Sequence, residues 1–281
     1  MNTPYPIRKD MMMKLRTMLL GLVSLVILIQ TQVSWASEEQ QTYQALGITV
    51  LYDNYTLTES CKTKWGFSCL IKGFDKCILF DTGGEGDLLL ENMDKLNVRA
   101  QDIDLIVISH HHWDHIGGLT SFLNQNSDVT VYLPSAGEAE TVPSIEATGA
   151  QVCIVNEPME LCPGVHLTGP LTEPIIEQSL VIETPQGPVL VTGCSHPGIV
   201  RIIEKAKVVL DQDVYFVFGG FHLGSHSTTQ VGDIVRQMKT LGVRKVGATH
   251  CTGDQAINLF KQEYGSDFVP IGVGQIELPI D

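Results

Sequence analysis

The chain has 281 residues, of which 43% are hydrophobic and 18% are charged, and its formal net charge is −14. This composition is typical of a globular protein and excludes a disordered chain. The excess of acidic residues disfavours binding to nucleic acids and to anionic lipid surfaces, because affinity for both depends on lysine and arginine. We therefore expect a small-molecule substrate and no nucleic-acid partner.

Residues 1–36 have the pattern of a secretory signal peptide. Basic residues precede an uncharged apolar run at residues 18–29, and Ser34-Trp35-Ala36 then supplies small residues at the two positions that a signal peptidase recognises. The run is shorter than the ~20 residues that span a bilayer, so no stable membrane anchor is expected once this segment is cleaved. We expect residues 37–281 to form one domain in the periplasm or outside the cell.

The seven cysteines have two interpretations in an exported protein. An oxidising compartment permits disulfides, and an odd number leaves at least one thiol unpaired. The short-range candidates are Cys61 with Cys69 and Cys153 with Cys162. The alternative is that these four residues are buried, unpaired thiols.

Short apolar runs bounded by turn residues predict most of the elements. In chain order, we predict strands at residues 47–52, 66–71 and 76–80, a helix at 87–96, a strand at 104–108, a helix at 116–124, and strands at 129–133, 151–155 and 165–168. A hairpin follows at 178–183 and 188–192, then a helix at 199–210 and strands at 214–218 and 245–248. Strands that alternate with helices, twice over, indicate an α/β protein with two sheets sandwiched between helical layers.

The loop after the strand at residues 104–108 is rich in metal-ligand residues. Loops at the carboxyl ends of strands carry ligand chemistry in layered α/β proteins, because the sheet fixes them while their side chains converge. Imidazole and carboxylate groups suit zinc, and also iron or manganese. Five of the six residues from His110 to His115 are of ligand type, which is more than one tetrahedral ion needs. We therefore predict two divalent ions, with zinc expected and manganese or iron as alternatives. The candidate ligands are His110, His112, Asp114 and His115.

These four residues, followed by Gly117-Gly118, form a His-x-His-x-Asp-His motif that resembles the metallo-β-lactamase superfamily of binuclear hydrolases. The resemblance implies an αββα sandwich of two mixed sheets between helical layers. It also implies a role for Asp81, because superfamily members use an aspartate at this place to orient the metal-binding histidines. The alternative is that Asp81 opens a turn and caps the segment after it.

Three later strands also end close to histidines. His196 follows the strand at residues 188–192, His222 follows the strand at 214–218, and His250 follows the strand at 245–248. We predict that His196 and His250 complete the metal site and that His222 faces the substrate. Cys194 is a further possible ligand. His166 and His226 have no such context and are interpreted as ordinary surface or core residues.

The segments at residues 192–198, 219–223 and 249–253 together resemble one branch of the superfamily. That branch is named for 7,8-dihydropterin-6-methyl-4-(β-D-ribofuranosyl)aminobenzene-5′-phosphate synthase, and the resemblance covers residues 47–280. Many superfamily enzymes bridge their two metals with an aspartate near the end of the strand at residues 188–192, where this chain offers Cys194 or His196. Because the branch's named reaction takes place inside cells, the resemblance implies the fold and the site but not the substrate.

The predicted chemistry is hydrolysis. Bound metal lowers the pKa of water from 15.7 to ~7 and so supplies hydroxide at neutral pH. In this hypothesis Asp114 accepts the proton of the attacking water and His222 stabilises the developing oxyanion. The expected substrate is a small phosphate ester, a lactone or a related ester. The alternatives are an iron-dependent redox enzyme of the same fold and a metal-binding or ligand-binding protein without turnover.

Overall fold

The protein is described by a computed structural model over residues 46–135 and 138–276, with the side chains of residues 138–140 omitted. The predicted signal peptide, residues 1–36, lies outside these ranges. None of the helices in the described ranges is long and apolar enough to cross a membrane.

Thirteen strands and seven α-helices are found in these ranges. The strands are β1 (Gly47–Tyr52), β2 (Ser68–Lys72), β3 (Ile78–Phe80), β4 (Leu105–Val107), β5 (Thr130–Pro134), β6 (Gln151–Val155), β7 (Met159–Cys162), β8 (Val165–Leu167), β9 (Leu180–Ile182), β10 (Val189–Thr192), β11 (Phe216–Gly220), β12 (Lys245–Thr249) and β13 (Gly274–Ile276). The helices are α1 (Gly86–Lys95), α2 (Trp113–Ile116), α3 (Leu119–Leu123), α4 (Glu138–Glu146), α5 (Ile199–Leu210), α6 (Thr228–Thr240) and α7 (Asp254–Tyr264).

The strands form two mixed sheets. The first sheet has the order β13-β1-β2-β3-β4-β5-β6 and the second has the order β12-β11-β10-β9-β8-β7. Strands β3 to β6 are parallel to one another, as are β10 to β12, and the other pairings are antiparallel. Because the parallel strands of each sheet share a direction, their carboxyl ends lie along one edge of that sheet.

Side-chain alternation along the strands produces three hydrophobic layers. In β3, Ile78 and Phe80 pack between the two sheets while Leu79 faces the layer that contains residues of α1 and α3. In β11, Phe216 and Phe218 pack between the sheets while Val217 faces the layer formed with α5, α6 and α7. Because both faces of these strands pack against other layers, their sequences are continuous apolar runs. The predicted αββα sandwich of two mixed sheets is confirmed.

Two features differ from the predicted elements. The single helix predicted at residues 116–124 is interrupted between α2 and α3 at Gly117 and Gly118, where the chain packs tightly on the β3 loop. A Cβ on Gly117 would lie 2.3 Å from the Gly84 oxygen, and one on Gly118 would lie 2.2 Å from the Thr82 oxygen. Strands β7 and β13 and helices α4, α6 and α7 were not among the predicted elements.

All seven cysteines are free thiols in the structure. Neither of the short-range pairs considered from the sequence forms a disulfide. Cys61, Cys69 and Cys162 are buried, and Cys77 and Cys153 are partly buried, so the alternative interpretation as unpaired, mostly buried thiols describes them. Cys194 and Cys251 lie at the candidate site described next.

Candidate metal centre

The predicted ligands converge at the carboxyl ends of the parallel strands. The loop after β4 contributes His110, His112, Asp114 and His115, and α2 carries the last two of these. Residues from the ends of β10 and β12 complete two clusters of ligand-type side chains. The members of these clusters come from both sheets, so the site depends on the packing of the sandwich.

The first ligand group consists of His110, His112 and His196. Their ligand nitrogens all lie within 4.8 Å of one another, and His196 Nε2 is 3.1 Å from His112 Nδ1. The His110 side chain is completely buried, and its Nε2 atom makes no hydrogen bond to any of the described residues. A buried polar atom without a partner is costly, and an ion bound by these three imidazoles would provide that partner.

The second ligand group consists of Asp114, His115, His250 and Cys194. Asp114 Oδ2 lies 3.4 Å from His250 Nε2 and 3.8 Å from His115 Nε2. Cys194 Sγ lies 3.2 Å from His115 Nε2. Carboxylate, imidazole and thiolate donors at these spacings fit a divalent transition metal.

Polar side chains behind the ligands fix the orientation of the imidazoles. Asp81 Oδ2 lies 2.7 Å from His115 Nδ1 and accepts a hydrogen bond from the Ser109 hydroxyl, which is 2.9 Å from His110 Nδ1. On the other side, Asn54 Oδ1 lies 3.2 Å from His250 Nδ1. These contacts leave the Nε2 atoms of three histidines directed into the site, which is the arrangement that ligating histidines need.

The electrostatics favour neutral imidazoles in the first ligand group. Burial and the imidazole of His115 lower the pKa of His110 well below its ordinary value, and burial with the neighbouring imidazoles lowers the pKa of His196 to about 4. Burial alone would lower the pKa of His115, but the Asp81 carboxylate outweighs it and raises this pKa to about 9. Burial likewise opposes ionisation of Asp114, yet the nearby His250 and His115 hold its pKa below the ordinary value.

Two residues that the sequence did not indicate also contact the ligands. Trp65 Nε1 donates a hydrogen bond to Asp114 Oδ2 at 2.8 Å, and its half-exposed indole lies 5.0 Å from the His250 ring. Glu177 is completely buried, and its carboxylate oxygens accept hydrogen bonds from three backbone N–H groups, with N···O distances of 2.8 to 2.9 Å. These N–H groups belong to Cys194, Ser195 and His196. Burial raises the pKa of Glu177 to about 7. Neither residue belongs to a motif, so no local signal in the sequence marked them.

Backbone strain is concentrated at the same strand ends. Four non-glycine residues of the site adopt a positive φ between 51° and 62°, in the region that L-amino acids rarely occupy. Each such residue costs on the order of 1–3 kcal/mol and persists only where the surrounding contacts hold it. Strain of this kind is typical of functional sites. The four residues are Asp81, Ser195, His222 and His250.

The side chain of His222 lies at the edge of the first ligand group. Its ring centroid is 4.3 Å from that of His196, and the residue is exposed. His222 also shares a third cluster of ligand-type atoms with Cys194 and Cys251. Cys251, like Trp65, was not among the predicted site residues.

A cavity of ≈360 Å³ opens beside His196. Its polar lining includes His222, His226 and Arg201, and among the described residues of the lining only Arg201 has a permanent positive charge. His226 was interpreted from the sequence as an ordinary residue, but it lines this cavity. His166 instead pairs with Glu183, with its Nε2 atom 2.7 Å from the carboxylate, and belongs to neither ligand group.

Comparison with known proteins agrees with this architecture. A 7,8-dihydropterin-6-methyl-4-(beta-D-ribofuranosyl)-aminobenzene-5'-phosphate synthase from Methanocaldococcus jannaschii is 32% identical, over 75% of this chain and 88% of that protein. The crystal structure of a metal-dependent hydrolase of the beta-lactamase superfamily aligns with a TM-score of 0.71 at 29% identity, over 83% of this chain and 99% of that one. The short form of human tRNase Z shares the fold alone, with a TM-score of 0.56 at 15% identity, over 83% of this chain and 100% of that one.

The sequence profile of the metallo-beta-lactamase superfamily matches residues 66–250, which include both ligand groups. The match therefore covers strands of both sheets as well as the residues of the site. The chain belongs to the metallo-beta-lactamase superfamily.

Proposed function

We propose that the chain is an exported, metal-dependent hydrolase that cleaves a small phosphate ester, a lactone or a related ester at a site for two divalent ions. The observation that supports this proposal is the adjacency of the two ligand groups. The ring centroids of His110 and His115, one from each group, are 4.2 Å apart. Ions held a few ångströms apart act together on one substrate. Export rests on the signal-peptide pattern at residues 1–36.

In this proposal the first ligand group holds one ion and the second ligand group holds the other. The donor atoms are mainly imidazole nitrogens with one carboxylate, which favours zinc, with manganese or iron as alternatives. Divalent ions bound there would supply a Lewis acid for the ester oxygen and a hydroxide nucleophile at neutral pH. Cys194, whose Sγ lies 3.2 Å from His115 Nε2, completes the second ligand group.

The chain's own residues position the reactants. Asp114 is kept ionised by its imidazole neighbours, and the Trp65 N–H holds one of its oxygens in place. We assign two roles to Asp114. It accepts a hydrogen bond from the attacking water, and it accepts the proton of that water during the reaction. We assign to His222 the stabilisation of negative charge on the substrate oxygen, because its exposed ring lies against the ring of His196.

Replacing His222 with alanine is expected to lower kcat by roughly 10²-fold, the typical loss when one donor to a developing oxyanion is removed. The metal content of both ligand groups is expected to stay unchanged, because neither contains His222. Elemental analysis and steady-state kinetics on the same preparation check both parts. Loss of either ion would refute this assignment of His222.

The charge of the cavity beside His196 favours a substrate with an anionic group. The chain as a whole is strongly acidic, yet the cavity presents Arg201 and two imidazoles next to the first ligand group. Arg201 keeps its position by donating hydrogen bonds to the carbonyl oxygens of Pro197 and Glu173, both at 3.3 Å. A phosphate or carboxylate of the substrate would find its complementary charge there.

Replacing Arg201 with glutamine is therefore expected to raise KM for an anionic ester roughly tenfold, since a hydrogen bond to a charged group contributes about 1.5 kcal/mol or more. KM for a neutral lactone is expected to change little. Arg244→Gln, at an exposed arginine outside the cavity, is the matched control. An equal rise in KM for both substrates would contradict an anion-binding role.

A second candidate is transfer of a substrate group to an acceptor other than water. The relative from Methanocaldococcus jannaschii is named a synthase and not a hydrolase. Both candidates use the same ligand groups, so they differ only in the acceptor that the cavity admits.

The test is an activity panel on the purified chain from residue 37 onward, with phosphomonoesters, phosphodiesters, lactones and β-lactams as substrates. The proposal predicts turnover of one ester class, with water-derived oxygen in the product when the reaction is run in labelled water. Turnover that requires an added organic acceptor would favour the transferase candidate. A coloured iron protein without esterase activity would favour the redox alternative, and metal uptake without any product would favour a binding protein.

A further inference from the structure

A third cluster of ligand-type atoms lies next to the second ligand group. Cys194, His222 and Cys251, here called the thiol cluster, each offer one donor atom, and these atoms lie within 4.8 Å of one another. They follow the ends of three neighbouring parallel strands, β10, β11 and β12. The proposed hydrolysis uses Cys194 and His222 separately and does not use Cys251.

The backbone around the thiol cluster leaves room for the second sulfur. A Cβ on Gly220 would lie only 2.7 Å from Cys251 Sγ, so a glycine at this position is what admits the thiol. The same sulfur lies 3.5 Å from the backbone oxygen of Cys194. Both cysteines are buried, at 3% and 6% exposure, whereas His222 is exposed. The cluster therefore has two buried sulfurs and an imidazole at its solvent side.

Two thiols and one imidazole favour a thiophilic cation. Thiolate ligands select ions such as zinc and copper(I), and a tetrahedral zinc ion has Zn–S bonds of about 2.3 Å and Zn–N bonds of about 2.0–2.1 Å. Such bonds place the ligand atoms roughly 3.3–3.8 Å apart, so small rotations of the three side chains would close the site. The two thiolates, one of them shared with the second ligand group, would offset part of the charge of one divalent ion.

We propose that the thiol cluster is an additional site for a thiophilic divalent cation, such as cadmium or excess zinc, and that filling it inhibits the enzyme. When this ion binds to the zinc-loaded protein, Cys251 releases its proton to solvent and forms one sulfur–metal bond. Cys194, already a thiolate in the second ligand group, forms a second sulfur–metal bond without releasing a proton, and His222 donates its nitrogen lone pair. The ion takes His222 away from the substrate and shares Cys194 with the second ligand group. The inhibition rests on the proposed function, but the binding does not.

Cadmium titration of the zinc-loaded protein tests the binding. The wild-type chain is expected to take up about one cadmium ion per chain while it retains its zinc, with the ultraviolet absorption of a thiolate-to-cadmium charge transfer. Cys251→Ser is expected to bind this ion at least tenfold more weakly, because Cys251 belongs to the thiol cluster but to neither ligand group. Cys77→Ser, which removes a partly buried thiol outside all three clusters, is the matched control and is expected to behave as wild type.

Equal cadmium affinity in the wild type and in Cys251→Ser would overturn the proposal, as would cadmium uptake only in exchange for zinc. Cys251→Ala serves as a second variant, and thermal unfolding of the zinc-loaded proteins identifies a variant that has lost its fold. In the activity measurement, cadmium is expected to inhibit the wild type at the concentration that fills the site, with Cys251→Ser at least tenfold less sensitive. A chain that binds cadmium as expected but hydrolyses no ester would contradict the proposed function and leave the thiol cluster supported.

Discussion

Replacing His110 and His112 together with alanine is expected to abolish turnover and to remove the ion of the first ligand group. These two residues supply two of the three nitrogens of that group, and a single remaining imidazole at His196 does not hold a divalent ion. Elemental analysis measures the metal, and the activity panel measures turnover. We expect activity to fall to the background of the uncatalysed reaction.

His166→Ala is the control for this double variant. His166 is a partly buried histidine that pairs with Glu183 and belongs to neither ligand group, so its replacement is expected to leave metal content and turnover near wild type. The double variant must also unfold cooperatively, which separates loss of the site from loss of the fold. Full metal content or full turnover in the folded double variant would refute the assignment of these two ligands.

Glu177→Ala is expected to be among the most destabilising single substitutions in the chain. The variant leaves three buried backbone N–H groups without an acceptor, each at a cost of about 1–3 kcal/mol. Burial of the carboxylate, which raises the pKa of Glu177 to about 7, offsets part of this loss. We expect a net decrease of roughly 2–4 kcal/mol in the free energy of unfolding.

Denaturant unfolding of the metal-depleted protein measures this decrease without the contribution of bound ions. Glu157→Ala, at an exposed glutamate, is the matched control and is expected to change the free energy of unfolding by less than about 0.5 kcal/mol. Because the three N–H groups belong to Cys194, Ser195 and His196, the metal affinity of both ligand groups is expected to fall as well. A Glu177→Ala variant as stable as the control would show that water replaces the carboxylate.

The part of the site that could be predicted from sequence is the part that local pattern determines. An apolar run predicts a strand, and a histidine directly after that strand must lie at its carboxyl end. This reasoning, applied to His110, His196 and His250 in turn, predicted that the three histidines belong to one metal site. The αββα architecture followed from the alternation of strands and helices together with the superfamily motif.

The contacts that the sequence did not predict join residues far apart in the chain. Asn54 and His250 are separated by 196 positions, and Trp65 and Asp114 by 49. Such contacts depend on how the two sheets pack, which no local pattern records. Glu177 was missed for the same reason, because an isolated glutamate is ordinarily an exposed residue.

Other differences have local causes that a closer examination of the sequence could find. Helix α6 begins with a capping box in which Ser227 and Gln230 satisfy each other's backbone N–H groups, a pattern readable from the residue types. The interruption between α2 and α3 follows from close packing at Gly117 and Gly118. Consecutive glycines inside a predicted helix indicate a possible break.

Elemental analysis of the purified chain from residue 37 onward measures whether the two ligand groups hold metal. The protein is expressed with its natural metal supply, dialysed against metal-free buffer and measured for zinc, manganese and iron. We predict about two equivalents of divalent metal per chain and about one in the folded His110→Ala, His112→Ala double variant. Less than about half an equivalent of total metal in the wild-type protein would contradict the assignment of both ligand groups as metal sites.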